Sequence, residues 1–238
     1  MLSLSRKVNM VDRLVGSIRD IVFGLEDGLV STVGVLTGIA AGTRDYFVII
    51  LSGFVFVVVT ALSMGVGSFL SSQSESDLQK RRAKDMKDMI ISNPKKAKEI
   101  LFLVYKKLGL KKHERDHLLR KAAKDHQFWQ EELNMHYLGI SKLADYPVLN
   151  AMYMFVAYVL GGSIPILPYF FFPIETAILL SVPFTVIALF IVGSLKGRLA
   201  YKSWWKSGLT MAVLCFSVAL LGYVTGQLVD YFFHVKVS

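Results

Sequence analysis

RDIVFGLEDGLVSTVGVLTGIAAG, residues 19–42, is the stretch whose reading decides the fold. From Ile21 to Ala41 it is mostly apolar and carries no charge apart from Glu26 and Asp27. At 1.5 Å per helical residue, about 20 residues cover the ~30 Å of a bilayer's hydrocarbon layer. Backbone groups inside that layer must bond within their own segment, so the stretch reads as a membrane helix. Asp27 lies seven residues past Asp20, about 10 Å deeper along the axis. A carboxylate within a span costs roughly 3 kcal/mol on insertion scales, and such residues usually face a bundle interior or a wet path. Gly24, Asp27, Ser31, Gly34 and Gly38 recur at steps of three and four and so form one stripe, with Gly28 beside it. Small residues let a second helix approach closely. Asp27 is therefore expected in a helix interface rather than in lipid. The plainer alternative is a carboxylate that only bonds a neighbouring hydroxyl or amide. Glu26 sits one step off the stripe and is either a second path carboxylate or a snorkelling side chain. Asp20 belongs near the interface, solvated or paired in the neighbourhood of Arg19.

Outward from this stretch, four more apolar blocks follow: Tyr46–Leu70, Val148–Phe172, Ile174–Leu195 and Ser207–Val229. Of the 238 residues, 53% are hydrophobic, and the charges fall between the blocks. The link Gly42–Asp45 makes a tight hairpin of the first two spans, and the link at Pro173 is equally short. Gly161–Gly162 followed by Pro165 and Pro168 predicts a kinked third span with freed carbonyls. The pairs Gly193/Gly197 and Gly222/Gly226 have the spacing of helix-packing motifs.

Residues 71–146 differ in kind. They hold 17 of the 27 Lys and Arg and 11 of the 18 Asp and Glu, and no run in them could cross a bilayer. Apolar residues recur there at helical spacing, as in Ile100, Leu103, Val104 and Leu108, punctuated by Asn93–Pro94 and Leu108–Gly109. This predicts about three helices in a small soluble domain. The organisation expected is a cytoplasmic N-terminal segment (1–20), a membrane hairpin (21–70), a cytoplasmic helical domain (71–146), three further spans (147–233) and a short tail (234–238). The fold class is all-α, a polytopic membrane protein with five spans.

Net charge is +9. Arg6, Lys7, Arg13 and Arg19, the Lys-rich junctions of 71–146, and KGRLAYKSWWK at 196–206 all fall on one side of a five-span chain. The positive-inside rule makes that side cytoplasmic, and anionic lipid headgroups rather than nucleic acid account for the basic balance. Met1–Ser17 is mixed polar and is not read as a cleaved signal. The single cysteine, Cys215, lies in an apolar block and forms no internal disulfide. No phosphate-binding glycine loop, CxxC pair or nucleophile elbow is present, so no enzyme is expected.

Met64 shares a face of the second span with Thr60, Gly67 and Ser71. Its thioether suits late transition metals, although a lone Met more often fills a gap in a core. In the soluble segment Asp85 and Asp88 are one turn apart, as are Met86 and Met89. His113 and His117 form an i, i+4 pair, and Glu131, Glu132 and His136 a looser group. The dense lysines around them favour a solvated face.

FGLEDGLVST with GVLTGIAAG resembles the first helix of the vacuolar iron transporter family. ALSMGVGSFLSSQSESD resembles its second helix, GGSIPILPYFFFP its third, and ALFIVGSLKGRLAYKSWWKSGLTM its fourth helix and the following loop. The resemblance implies a homodimer of five-span protomers with the ion path between the two first helices. It implies export of Fe²⁺, sometimes Mn²⁺, from the cytosol against protons, with no resident cofactor. Asp27 and Met64 fall on the family's path residues. The family's cytoplasmic glutamates are matched only by Asp85 and Asp88; Tyr137 stands where a glutamate would precede Leu138–Gly139, and the second span is apolar near Phe56. The expected membrane is vacuolar or another endomembrane in a eukaryote and the plasma membrane in a prokaryote. The rival is a non-transporting membrane scaffold whose basic domain binds a partner or anionic lipid.

Overall fold

The computed structural model describes residues 2–43, 45–138 and 146–233, with side chains described from 17 to 232 of these. The 234–238 tail, the 139–145 link with Gly139, and the side chains of Arg6, Lys7, Arg13 and Arg44 lie outside the described residues.

Among the described residues there are nine helices and no strand: α1 (Leu2–Gly42), α2 (Tyr46–Ser92), α3 (Pro94–Lys107), α4 (Lys112–Lys124), α5 (His126–His136), α6 (Pro147–Ile166), α7 (Pro168–Phe171), α8 (Ile174–Leu199) and α9 (Trp204–Phe233). Five stretches are long and apolar enough to cross a membrane: Ser17–Gly42 of α1, then α2, α6, α8 and Trp204–Phe232 of α9. The chain is an all-α, multi-pass membrane protein. Two compact units divide it, Met1–Leu70 with Tyr146–Ser238, and Ser71–Asp145.

Element ends differ from the hydropathy blocks where backbone chemistry overrules side-chain polarity. The third span stops at Ile166, not Phe172, because Pro168 has no N–H to offer the preceding turn and instead opens the short α7. In the same turn the Pro165 carbonyl accepts from the Ser181 hydroxyl of α8 at 2.8 Å. The first helix carries no break at the membrane boundary and begins at Leu2. Asp45 caps the start of α2, its Oδ1 accepting from the N–H groups of Phe47 and Val48 at 2.8 and 3.1 Å.

In the membrane unit α1 is the helix at the interior. It packs on α6, α9 and α8, and 44% of its apolar window is buried against 17% for α9. Glycines set the approach. A Cβ on Gly28 would lie 2.5 Å from the Tyr158 carbonyl oxygen, and one on Gly161 2.6 Å from that of Leu25, so α1 and α6 meet backbone to backbone. Farther along, Gly34 and Gly38 of α1 face Gly222 and Gly226 of α9, whose absent Cβ atoms would fall on the Gly34 and Gly38 carbonyl oxygens. Gly193 and Gly197 admit α9 to α8 through Met211 and Ser207. Around these crossings, Leu29, Val33, Leu189, Cys215 and Ala219 form one apolar cluster, and Leu36, Ile49, Val57, Ala61, Tyr158 and Tyr169 belong to another.

The second unit has an apolar core of its own. Leu101, Val104 and Tyr105 of α3, Leu119 of α4, Trp129 and Leu133 of α5, and Met86 and Ile90 of α2 bury one another. Each short helix has a defined start. Asn93 caps α3 by accepting from the Lys96 N–H, with Pro94 at its first position, and Asp125 caps α5 through the N–H groups of Gln127 and Phe128. The Tyr105 hydroxyl donates to Glu132 Oε2 at 2.9 Å. Burial, with that carboxylate beside it, pushes the Tyr105 phenol well above its ordinary pKa.

Candidate functional site

Three carboxylates lie on the membrane part of α1, and the structure gives each a different setting. Asp20 is buried at 4% exposure, beside the Ser68 hydroxyl of α2 and 3.8 Å from Arg19 Nε. It is therefore buried rather than solvated, with Arg19 as its cationic neighbour. Glu26 is held by Lys196 of α8, whose Nζ donates to both carboxylate oxygens at 2.8 and 3.1 Å. Asp27 is half-buried, and its carboxylate has no hydrogen-bond or ion-pair partner among the described residues.

What stands beside Asp27 is a set of hydroxyls. The Tyr158 hydroxyl of α6 lies 2.6 Å from Ser31 Oγ. The Ser31 hydroxyl donates to the Asp27 backbone carbonyl one turn earlier, so its single proton is committed and Tyr158 must be the donor between them. Thr60 of α2 and the Asp27 charge also bear on the Tyr158 oxygen. Tyr158 is wholly buried. Next to it, Thr32 is fully buried, its hydroxyl also turned on the Tyr158 oxygen, and a Cβ on Gly162 would come within 2.9 Å of Thr32 Oγ1. Glycine at 162 keeps room for the hydroxyl.

Met64 is partly buried and packs against the cluster that contains Tyr158, Ala61 and Val57. Asp27 and Met64 are thus related through the surroundings of Tyr158. Gly24 and Gly28 lie against α6, and Gly34 and Gly38 against α9, so the small-residue stripe of α1 serves two different neighbours. In the other unit Asp85 and Asp88 are both exposed on α2, while Met86 between them faces the core. His113 and His117 are exposed on α4. Glu132 is shared by Tyr105 and, at 3.8 Å, by His136. No group of three or more His, Cys, Asp or Glu side chains placed to hold a metal occurs among the described residues.

Tyr158 is the residue that sequence reasoning passed over. One signal was available: it stands three and four residues before Gly161 and Gly162, on the face of the third span that glycine opens to another helix.

The profile of the VIT family matches residues 18–227, from the start of the first span almost to the end of the last. This chain belongs to that family. It is 30% identical to vacuolar iron transporter 1 of Eucalyptus grandis over 199 residues, 83% of this chain and 80% of that protein. Vacuolar iron transporter 1 of Arabidopsis thaliana is 31% identical over 183 residues, covering 76% and 73%. Protein CCC1 of Saccharomyces cerevisiae is 28% identical over 196 residues, covering 78% of this chain and 59% of that protein. Membership extends across both units, so the segment between the second and third spans is part of the family's plan.

Proposed function

We propose that this VIT-family protein is a metal transporter that moves a divalent ion, Fe²⁺ and also Mn²⁺, out of the cytosol in exchange for protons. The observation that carries the reading is Asp27: alone among the three carboxylates on the membrane part of α1, it has no cation and no hydrogen-bond donor on its oxygens among the described residues. A carboxylate left so at bilayer depth is one a metal ion or a proton can occupy in turn. Because the ligand must be deprotonated to take metal, protonation from the acidic side empties it, which couples the two fluxes. Met64 supplies a softer ligand that favours Fe²⁺ over Mg²⁺ or Ca²⁺. Two chains about a twofold axis would double this sparse ligand set, placing the path at a homodimer interface. Glu26 enters as a flanking acid rather than a ligand. Asp85 and Asp88 form at most a weak entry site for metal. The basic segments 1–20, 71–146 and 196–206 face the cytosol, by the positive-inside rule. Names of the relatives support a vacuolar or other endomembrane setting.

The test is flux into liposomes carrying an imposed pH gradient, with Fe²⁺, Mn²⁺, Co²⁺ and Zn²⁺ offered in turn. Wild type should move Fe²⁺ and carry protons the other way, and Asp27→Asn should fall to the protein-free leak while inserting normally. Flux in Asp27→Asn equal to wild type would remove the reading. Absence of any metal flux in the wild type would leave a scaffold whose basic domain docks a partner or anionic lipid.

A further inference from the structure

Glu26 and Asp27 are consecutive, yet only one of them is neutralised. Lys196 comes from the last turn of α8, one residue before Gly197. Gly193 and Gly197 seat α8 against α9, and Lys196, about 100° round the helix from Gly197, reaches the other way to α1. Its ammonium bonds both oxygens of Glu26, whose side chain is 12% exposed. Nothing in the packing of α1 on α6 and α9 asks for an acid at position 26, because the close contacts there are made by Gly24, Leu25 and Gly28. The pair spans 170 residues and ties the end of the fourth span to the first at the level of Asp27.

We infer that Lys196 is a specificity-determining positioning residue: by holding Glu26 it keeps the ion-carrying site to one free carboxylate per chain. Without that cation two adjacent acids would stand at bilayer depth, and a divalent ion would be gripped by both. Affinity of an oxygen-ligand site rises with its charge count, and a site that binds its ion too tightly releases it slowly. Lys196 therefore trades affinity for turnover. The inference rests on the reading of Asp27 as the transported ion's carboxylate.

The experiment measures initial Mn²⁺ and Fe²⁺ flux into liposomes against metal concentration for wild type, Lys196→Met, Lys196→Arg, Glu26→Gln, the double variant Glu26→Gln with Lys196→Met, and Asp27→Asn. Lys196→Met should lower the half-saturating metal concentration by about tenfold and lower the maximal rate with it. Lys196→Arg should keep wild-type behaviour, and the double variant should return both constants to wild type, since neither the extra acid nor its cation remains. A pair that only braces the fold gives a different result: Lys196→Met and the double variant would lose rate alike at unchanged half-saturation, and this overturns the inference. So would a Lys196→Met indistinguishable from wild type. Should Lys196→Met insert poorly, Lys196→Gln, which keeps a hydrogen-bond donor to Glu26 without the charge, takes its place: a lowered half-saturating concentration supports the inference, and an unchanged one overturns it. Asp27→Asn reports on the parent reading separately, through loss of all flux.

Discussion

The two units of this chain hold themselves together with different residues. In Ser71–Asp145 the core is large side chains gathered from four helices: Met86 of α2, Leu101 and Tyr105 of α3, Leu119 of α4, and Trp129 and Leu133 of α5. In the membrane unit the decisive contacts are places where side chains are missing, at Gly24, Gly28 and Gly161 between α1 and α6, and at Gly34, Gly38, Gly222 and Gly226 between α1 and α9. Solvent explains the difference. Water drives apolar groups together at about 25 cal/mol per Å², so helices that meet in water gain by burying volume. Lipid tails are as apolar as Leu and give no such drive, so membrane helices associate through close backbone approach and polar contacts.

Three perturbations would break or sharpen that contrast. The largest effect is expected from Gly222→Leu. Its side chain would start inside the Gly34 carbonyl, and the cost should exceed the ~1–3 kcal/mol of an ordinary overpacked site. Loss of the monodisperse peak in detergent gel filtration would show it, and a normal peak would mean that α1 and α9 can separate cheaply. Next comes Leu101→Ala, which empties the centre of the Ser71–Asp145 core at a cost of about 2–5 kcal/mol. Trp129 is buried there, and the other two tryptophans are Trp204 and Trp205. In a background with both of those changed to Phe, Trp129 fluorescence should therefore report earlier melting, while the gel-filtration peak stays. Smallest should be the helix caps, where the contrast vanishes: Asp125→Ala and Asp45→Ala each remove one side-chain cap and should cost about 1 kcal/mol, read by hydrogen exchange of the first turns of α5 and α2. A cap that mattered far more in one unit than in the other would show that the solvent argument reaches helix ends as well as cores.

Apolar length made the five spans legible, because bilayer thickness imposes it on any sequence. Their ends were less so. Leu2–Ser17 continues α1 without an apolar signature, and Pro168 ended the third span three residues beyond Pro165, a matter of which amide the preceding turn needed. Glycine pairs at 193/197 and 222/226 announced packing, but spacing within one helix cannot name the partner, and Gly222 meets Gly34 across nearly the whole chain. At the site, Asp27 stood out because a carboxylate in a span is costly. Tyr158 did not, since a tyrosine in an apolar run is unremarkable until its hydroxyl is seen against Ser31. Lys196 looked like one more topology charge in a basic loop; its bond to Glu26 bridges 170 residues and belongs to the folded state alone.

Cys215 is the chain's only thiol, and it lies wholly buried in the cluster between α1, α8 and α9. A maleimide or spin label offered to the folded protein would find nothing to react with until a second cysteine is introduced on an open face. Distances within the chain can therefore be read from introduced pairs of labels on the natural background, without first stripping the sequence of its own sulfhydryl.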